Sequence, residues 1–366
     1  MSSRLRSNKM LSRNIRISVL FQITCWTIAA WLYMVYRVAG LADYERIKVV
    51  EPIRYHVVFI QSTIAGITIG FVLGILDIFL SKSRLRKRSF GFLVIVKGLI
   101  YIGTIIIVVS LIHMITGFVD QLSFREEMSK LLEFYQQGFL LSILVYALFI
   151  SFLISFIKQV NQKFGPGILL PMLLGKYFRP IQENRIFLFL DLRSSTTYAE
   201  KIGHVLYSEL IQDCFYDLAT QVEAYRAEIY QYVGDEAVIT WKLKNGLLEN
   251  NCIRLTIAFN DQLQSRSEHY LQKYGIVPEF KGGANSGLVM VAEIGEIKKE
   301  IAYHGDVLNT ASRIQSQCNS YQKNLLISEQ LKNLLPPASD LRFELLGSLE
   351  LKGKSELVSI YSAERN

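Results

Sequence analysis

Four long apolar runs dominate the first half of the chain, and they lie at residues 15–36, 56–80, 91–117 and 138–160. Each run reaches the roughly 20 residues that an α-helix needs to cross about 30 Å of hydrocarbon. The first run has no small-residue cleavage site after it, so it is interpreted as a retained anchor and not as a signal peptide. These runs predict a four-helix transmembrane domain over 15–160 in a lipid bilayer, preceded by a short N-terminal tail at 1–14.

The basic residues of the chain are concentrated at two places. The formal net charge is +8, and nucleic-acid binding is one interpretation of such a balance. However, Lys and Arg crowd the N-terminal tail and the loop at 81–90, whereas the loop at 37–55 mixes both signs. This pattern is typical of membrane topology, with basic segments on the cytoplasmic side. We therefore expect no nucleic-acid partner, and a multi-pass protein of the inner (plasma) membrane whose N-terminus and whole region after 160 are cytoplasmic.

A few ionisable residues fall inside the apolar runs, where they are costly and need an explanation. Asp77 and Lys97 lie at similar depth near the inner ends of the second and third runs. An ion pair between neighbouring helices is one hypothesis, and snorkelling of both side chains to the interface is the other. His56 and His113 lie near the outer ends, where they could ligate a metal or haem, or simply form hydrogen bonds.

Residues 161–183 form a hydrophobic linker between the membrane domain and the rest of the chain. Gly165, Pro166 and Gly167 should end the fourth helix, and a short apolar helix is predicted at about 168–175. We interpret this segment as a coupling element. The alternative is a membrane-surface helix that only packs the following domain against lipid.

Two carboxylates stand out after the linker. The run RIFLFLDL at 185–192 predicts a buried strand with Asp191 near its end, followed by small hydroxyl residues that open a helix. The run EIYQYVGDEAVITW at 228–241 predicts a hairpin with Asp235 at its tip. If the hairpin tip lies beside the first strand, the two carboxylates can hold divalent ions.

Three further segments carry polar residues suited to a phosphate substrate. FKGGANSG at 280–287 is a glycine-rich strand with Lys281, and LELKGKSELVSIYS at 349–362 is a hairpin with Lys352 near its turn. IAYHGDVLNTASRIQSQ at 301–317 predicts a turn and a helix that carries Asn309 and Arg313 on one face, because they are four residues apart. Taken singly, each segment is better explained by structure alone: the first as a tight turn, the helix as a solvated face and the last as an ordinary charged hairpin.

Taken in order, these five segments resemble the catalytic domain of class III nucleotide cyclases over about 184–362. The resemblance implies an α+β fold, in which a four-helix transmembrane bundle precedes a ferredoxin-like catalytic domain at 184–366. It also implies a homodimer with active sites between the subunits, ATP as substrate, and two Mg²⁺ or Mn²⁺ ions per site.

The resemblance assigns a role to each matching residue. Asp191 and Asp235 correspond to the metal ligands, with the backbone carbonyl of Leu192, while Asn309 and Arg313 correspond to the pair that stabilises the transition state. The remaining matches are the nucleotide-binding positions Thr196 and Lys352, together with Lys281, which stands where the family has an arginine.

The two positions that read the base depart from the family pattern. Gln231 stands where adenylate-forming members carry a lysine, and Ala302 stands where they carry aspartate or threonine. An amide both donates and accepts, so Gln231 fits either purine edge. An adenylate cyclase is the favoured interpretation, a guanylate cyclase is the first alternative, and a nucleotide-binding receptor without turnover is an alternative of another class.

Overall fold

The computed structural model describes residues 2–45, 55–82, 90–119, 123–136, 139–165, 169–350 and 357–366. The chain divides into two compact units, one of Asn8–Val160 and one of Met1–Ser7 with Asn161–Asn366. We describe each unit by itself.

The first unit is helical, and among the described residues four of its helices are long and apolar enough to cross a membrane. They are α1 (Ser2–Glu45), α2 (Tyr55–Lys82), α3 (Phe90–Val119) and α5 (Phe139–Phe164). Their candidate spans are Ile15–Tyr36, Tyr55–Leu80, Ile95–Ile115 and Leu141–Asn161, close to the four predicted runs. Large apolar side chains such as Phe79 and Phe118 point outward, as expected of surfaces that face lipid. Helix α1 begins at Ser2, so the segment predicted as an N-terminal tail is helical.

A fifth helix, α4 (Phe124–Gln136), lies between the third and fourth apolar runs. Its start is a capping box, because the backbone N–H and hydroxyl of Ser123 both donate to the Glu126 carboxylate, at 2.9 and 2.8 Å. The next residue, Glu127, is buried, and its Oε1 lies 3.4 Å from Nε2 of His113. His113 therefore faces a carboxylate from α4, whereas His56 is exposed.

Helices α1 and α2 pack closely through a glycine stripe. Gly66, Gly70 and Gly74 lie on one face of α2 at four-residue spacing, and this small-xxx-small pattern lets helix backbones approach in lipid. A Cβ at Gly66 would lie 2.5 Å from Cα of Thr27, and a Cβ at Gly70 would lie 2.5 Å from Cα of Ile23. The contact therefore excludes any side chain at these two positions.

Of the two hypotheses for Asp77 and Lys97, the ion pair between neighbouring helices is confirmed. The Asp77 carboxylate accepts a hydrogen bond from Lys97 on α3, and its side chain is only 9% exposed. Lys158 on α5 donates to the other oxygen of Asp77, and Gln22 on α1 lies 3.5 Å from the same oxygen. One carboxylate thus joins all four spanning helices.

The linker contributes to the second unit. Helix α6 (Leu169–Leu173) is the predicted short helix, and its exposed Leu170 and Leu173 leave an apolar surface. Tyr177 is 4% exposed, and its carbonyl oxygen accepts from the backbone N–H of Glu293 at 2.9 Å. The end of the linker is therefore anchored in the second unit by a buried ring and a backbone hydrogen bond.

The second unit is built on one mixed sheet. Its strands are β1 (Ile181–Leu192), β2 (Glu228–Val233), β3 (Glu236–Lys242), β4 (Phe280–Ile294), β5 (Glu300–His304), β6 (Leu325–Ser328), β7 (Leu341–Glu350) and β8 (Leu357–Arg365). The order is β2-β3-β1-β4-β6-β8-β7, with β5 paired to β4. Its helices are α7 (Ser195–Ile202), α8 (His204–Ala224), α9 (Leu243–Leu247), α10 (Asn251–Ser265), α11 (Ser267–Tyr274), α12 (Asp306–Ser316) and α13 (Glu329–Leu334), with a short 3₁₀ turn at Leu248–Asn250.

The first half of this unit is a β-α-β-β-α-β arrangement with strand order β2-β3-β1-β4, which is the ferredoxin-like pattern. Side chains of β1 alternate between two cores, as the period of two in a strand requires. Leu188 and Leu190 pack into the core that contains α8 and α10, whereas Phe187 packs with Val307 and Ala311 of α12. The predicted α+β fold is confirmed, and Asp191 is the penultimate residue of strand β1.

Candidate active site

Asp191 lies near the end of β1, the strand between β3 and β4. In the sheet register it is paired with Glu236 on one side and with Lys281 on the other. Directly paired residues on neighbouring antiparallel strands have Cβ atoms about 5 Å apart on the same face. The Lys281 ammonium lies 3.3 Å from Oδ2 of Asp191, and Lys281 is 8% exposed. Lys281 therefore faces the predicted metal ligand, and its side chain is largely buried.

The second predicted ligand, Asp235, occupies the hairpin between β2 and β3. Gly234 has φ +62°, a left-handed backbone conformation that glycine adopts without strain, so the turn brings Asp235 beside the end of β1. Tyr207 on α8 forms a side-chain hydrogen bond with Asp235. The other carboxylate oxygen, Oδ2, is buried and has no hydrogen-bond partner among the described residues. An unpaired buried carboxylate oxygen is costly unless a cation accompanies it.

Negative charge accumulates at this end of the sheet. Burial and the neighbouring Asp235 raise the pKa of Asp191 above its usual value, although Lys281 opposes the shift. Burial, Asp191 and Asp235 raise the pKa of Glu236 to about 7. Burial and Asp235 likewise raise the pKa of the Tyr207 phenol to about 12. Burial is the largest cause of each pKa shift, and the neighbouring carboxylates add a negative potential that attracts cations.

These residues fit a divalent metal ion of the Mg²⁺ or Mn²⁺ type. Such ions take oxygen ligands, and they commonly bind through one or two carboxylates completed by substrate phosphates and water. Asp191 and Asp235 supply the carboxylates, while Leu192, whose side chain is buried, can add only its backbone carbonyl. The described part of the chain holds no cluster of three metal-binding His, Cys, Asp or Glu side chains. The two-carboxylate set therefore depends on substrate oxygens to complete a coordination shell.

Helix α12 lies against β4 and touches the carboxylate cluster. A Cβ at Gly283 would lie 2.1 Å from the backbone nitrogen of Gln315, so the glycine-rich strand is what admits this helix. Gln315 Nε2 donates to Oδ2 of Asp191 at 3.0 Å. Sequence reasoning missed Gln315, although it continues the buried stripe that Ala311 and Ile314 form on α12, and a polar residue on a buried stripe is a recognisable signal.

The predicted pair Asn309 and Arg313 lies on a different face of α12. Asn309 is exposed and Arg313 is partly exposed. Successive residues of a helix are rotated by about 100°, so Arg313 lies about 200° and Asn309 about 240° from Gln315 around the axis. Because Gln315 is the residue that contacts Asp191, the structure does not bring this pair to the carboxylates of its own chain.

The predicted base-reading positions lie on two strands that approach each other. Gln231 is exposed on β2, and Ala302 is buried on β5. Their chain neighbours Tyr230 and Tyr303 are in edge-to-face contact, with ring centroids 4.9 Å apart. The contact between these rings holds the two strands together.

The two remaining nucleotide-binding candidates lie elsewhere. Thr196 is exposed in the first turn of α7, and this helix follows Asp191 after a left-handed residue, Ser194, with φ +58°. Lys352 lies outside the described residues, between β7 and β8. Their assigned roles remain predictions.

Comparison with known proteins identifies the second unit. The chain is 36% identical over 222 residues to "Adenylate cyclase 2" of Rhizobium meliloti (strain 1021), a match that covers 61% of each protein. It is 25% identical over 180 residues to "Adenylate cyclase" of Anabaena cylindrica, covering 48% of this chain and 36% of that one. The chain thus spans less than two-thirds of the length of these relatives.

The solved structures show the same fold. A bacterial light-regulated adenylyl cyclase superposes with a TM-score of 0.50 at 20% identity, covering 58% of this chain and 63% of that one. Residues 180–362, half of the chain, match the family described as "Adenylate and Guanylate cyclase catalytic domain". This chain therefore belongs to the class III adenylate and guanylate cyclase family.

Proposed function

We propose that this chain is a membrane-anchored adenylate cyclase that converts ATP to cyclic AMP and pyrophosphate at the interface of a homodimer. The observation that carries the proposal is the division of the site within one chain. Asp191 and Asp235 gather at the end of β1, whereas Asn309 and Arg313 point away from them on α12. A second copy, related by a two-fold axis, would supply the missing half to each site.

The chemistry requires in-line attack of the ribose 3′-oxygen on the α-phosphorus. The new O3′–P bond forms as the bond to the β-phosphate oxygen breaks, and pyrophosphate leaves. Two Mg²⁺ or Mn²⁺ ions at Asp191 and Asp235 would supply Lewis-acid activation of the hydroxyl and neutralise phosphate charge. No side chain is assigned as general base, and the 3′-hydroxyl proton goes to substrate or water.

The residues of α12 and the lysines act on charge and orientation. Asn309 would orient the ribose, and the Arg313 guanidinium would bind the α-phosphate as its negative charge develops. Thr196 would hold phosphate oxygens at the start of α7, and Lys352 would reach the triphosphate from the partner. Lys281 now neutralises part of the Asp191 charge at 3.3 Å, so metal binding at Asp191 would release it toward the triphosphate.

The homodimer has a direct test by complementation. Asp191→Asn and Arg313→Ala each inactivate one half of the site, so either chain alone should be inactive. When the two chains are co-expressed, half of the dimers are mixed, and each mixed dimer has one intact site, so about a quarter of the wild-type rate should return. Failure of the mixture to recover activity, with dimers present, contradicts a shared site.

ATP is the proposed substrate, and GTP is the alternative because Gln231 and Ala302 match neither base pattern. The named relatives are adenylate cyclases, which favours ATP. The full-length protein in lipid nanodiscs, given Mn²⁺ and either ATP or GTP, should form cyclic AMP in preference to cyclic GMP. Gln231→Lys should raise the ATP/GTP rate ratio. An unchanged ratio contradicts base reading by Gln231, and no product from either nucleotide would favour a non-catalytic receptor.

The membrane arrangement is part of the proposal. We infer that the N-terminus and the cyclase domain lie on the cytoplasmic side of the inner (plasma) membrane. Four candidate spans, with basic residues before the first and between the second and third, support this orientation. Regulation would pass from the bundle through the linker at 161–183, whose Tyr177 is anchored in the cyclase domain. Protease treatment of inside-out vesicles should remove the cyclase domain, and protection in that orientation would contradict this topology.

A further inference from the structure

The helical bundle contains a cavity that the cyclase reaction does not use. Its volume is about 190 Å³, and all four spanning helices line it. The room arises where small side chains face each other, at Ala29 on α1, Ala65 on α2 and Ala147 on α5. Ile69 and Ile105 also line the cavity, and both are buried. A cavity bounded by packed helices keeps its shape, because protein interiors relax little around a void.

A buried hydrogen-bond donor in the lining has no partner. Trp26 is 4% exposed, and its indole N–H meets no acceptor among the described residues. Leaving a buried donor unsatisfied costs about 1–3 kcal/mol. Inside a bilayer no water is at hand to remove that cost. An acceptor atom on a molecule that enters the cavity would do so.

Two hydroxyl groups of the lining, by contrast, are already satisfied within the bundle. The Tyr146 hydroxyl donates to the carbonyl of Ala29 at 2.9 Å, and the Tyr33 and Ser142 hydroxyls are 2.7 Å apart. Of these three aromatic side chains, Trp26 is therefore the one whose buried donor lacks an acceptor among the described residues.

The rest of the lining defines the chemistry of the occupant. Among the described residues, no Asp, Glu, Lys, Arg or His side chain lines the cavity, so none of them would neutralise a charged molecule. Apolar cavities of roughly 150 Å³ in proteins stay dry and bind benzene-sized molecules. A cavity of 190 Å³ admits a slightly larger ring system.

We propose that the bundle binds an uncharged, lipid-soluble small molecule of one or two rings, held by a carbonyl-type acceptor on the Trp26 indole N–H. The site lies in helices assigned to the bilayer, so its ligand reaches it by partitioning into lipid. This inference rests on the proposed membrane location and not on the cyclase activity.

Benzophenone is a suitable probe because it is uncharged, carries two rings and one carbonyl oxygen, and cross-links to nearby C–H bonds on irradiation. The full-length protein in phosphatidylcholine nanodiscs would be irradiated with it, digested and mapped by mass spectrometry. We expect cross-links on the cavity-lining segments of at least two spanning helices. Ala147→Leu, which fills the cavity, should reduce this labelling at least about 5-fold.

The hydrogen bond has its own test. Diphenylmethane has the same two rings without the carbonyl. The wild-type chain should therefore bind benzophenone more tightly than diphenylmethane. Trp26→Phe should reduce that preference by about 3- to 10-fold, which is the range expected for one hydrogen bond. Trp31→Phe is the matched control, because Trp31 is on the same helix, lies outside the cavity lining and already donates to Thr63 at 2.9 Å.

The outcomes separate the site from general partitioning into lipid. Cross-links confined to outward-facing residues such as Phe79 and Phe118, unchanged by Ala147→Leu, would overturn the proposal. Equal effects of Trp26→Phe and Trp31→Phe would overturn the role of the indole. The measurement needs no nucleotide turnover, so its failure is distinguishable from failure of the proposed cyclase reaction.

Discussion

Asp77 and Asp191 both have lysine partners, yet their surroundings differ. In the helical bundle, Asp77 accepts from both Lys97 and Lys158 and lies beside Gln22. In the cyclase domain, Asp191 meets Lys281 and Gln315, and it also faces two more acidic residues, Asp235 and Glu236. The first cluster has more positive than negative charge, and the second has more negative than positive.

The difference separates a structural cluster from a site prepared for a ligand. A buried charge with well-placed partners is held in one geometry, and removing one partner leaves the others uncompensated. A group of carboxylates with too few cations favours binding of metal ions, which relieves the repulsion. The burial of an aspartate beside lysine therefore does not decide its role; the total charge around it does.

The largest effect should come from Asp191→Asn. We expect at least a ~1,000-fold loss of kcat, because the substitution removes a metal ligand while Gln315 and the core beneath it remain in place. The thermal unfolding midpoint of the cyclase domain should hardly change. Cyclic nucleotide formation at saturating Mn²⁺ is the measurement, and activity within 10-fold of wild type would show that Asp191 does not hold the metal.

Asp77→Leu should instead lower the free energy of unfolding of the full-length protein. The substitution leaves Lys97 and Lys158 without a counter-charge, which should cost about 3–5 kcal/mol. The unfolding midpoint of the full-length protein in detergent reports it. Converting all three residues to apolar ones, with Lys97→Met and Lys158→Met added, should recover most of the loss. If Asp77→Leu alone is neutral, the cluster does not stabilise the bundle.

Glu236→Gln should have a moderate effect on metal binding. Glu236 is the register partner of Asp191, and its charge adds to the negative potential at the site. Removing that charge should weaken Mn²⁺ binding by about 2- to 10-fold, measured by calorimetry without nucleotide. Glu300→Gln is the control, because this exposed residue pairs with Lys298 away from the cluster. Unchanged or tighter binding in Glu236→Gln would contradict an electrostatic contribution.

The smallest effect is expected for the solvent-exposed ion pair between Asp340 and Arg254. Asp340 is exposed and accepts two hydrogen bonds from Arg254, which lower the pKa of its carboxyl to about 2. A lowered folded-state pKa stabilises the protein above the ordinary value of 3.8, and that contribution is lost as the pH falls toward 2. Asp340→Asn should therefore cost less than about 1 kcal/mol at pH 7 and nothing near pH 2. A loss as large as that of Asp77→Leu would contradict the ranking.

Much of the architecture was predictable because its signals are local. Length and hydropathy are enough to identify the four spans, and strand period and turn residues are enough to place Asp191 and Asp235 at element ends. Helix α4 was not predicted, because its sequence is too polar to form an apolar run. The capping box of Ser123 and Glu126 was the local signal that marks its start. The glycine stripe of α2 is visible in the sequence as small-xxx-small spacing. The sequence does not indicate which helix packs against the stripe.

The sequence by itself determined the spans, the α+β character of the second unit, the family motifs and the depth match that paired Asp77 with Lys97. Only the tertiary structure showed that Lys158 and Gln22 complete that cluster, that Gln315 contacts Asp191, and that Asn309 and Arg313 face away from it. It also revealed the cavity at Trp26. The physical reason is that these features join residues far apart in the chain. Side-chain contacts and voids depend on how helices and strands rotate and pack against each other, which local periodicity does not specify.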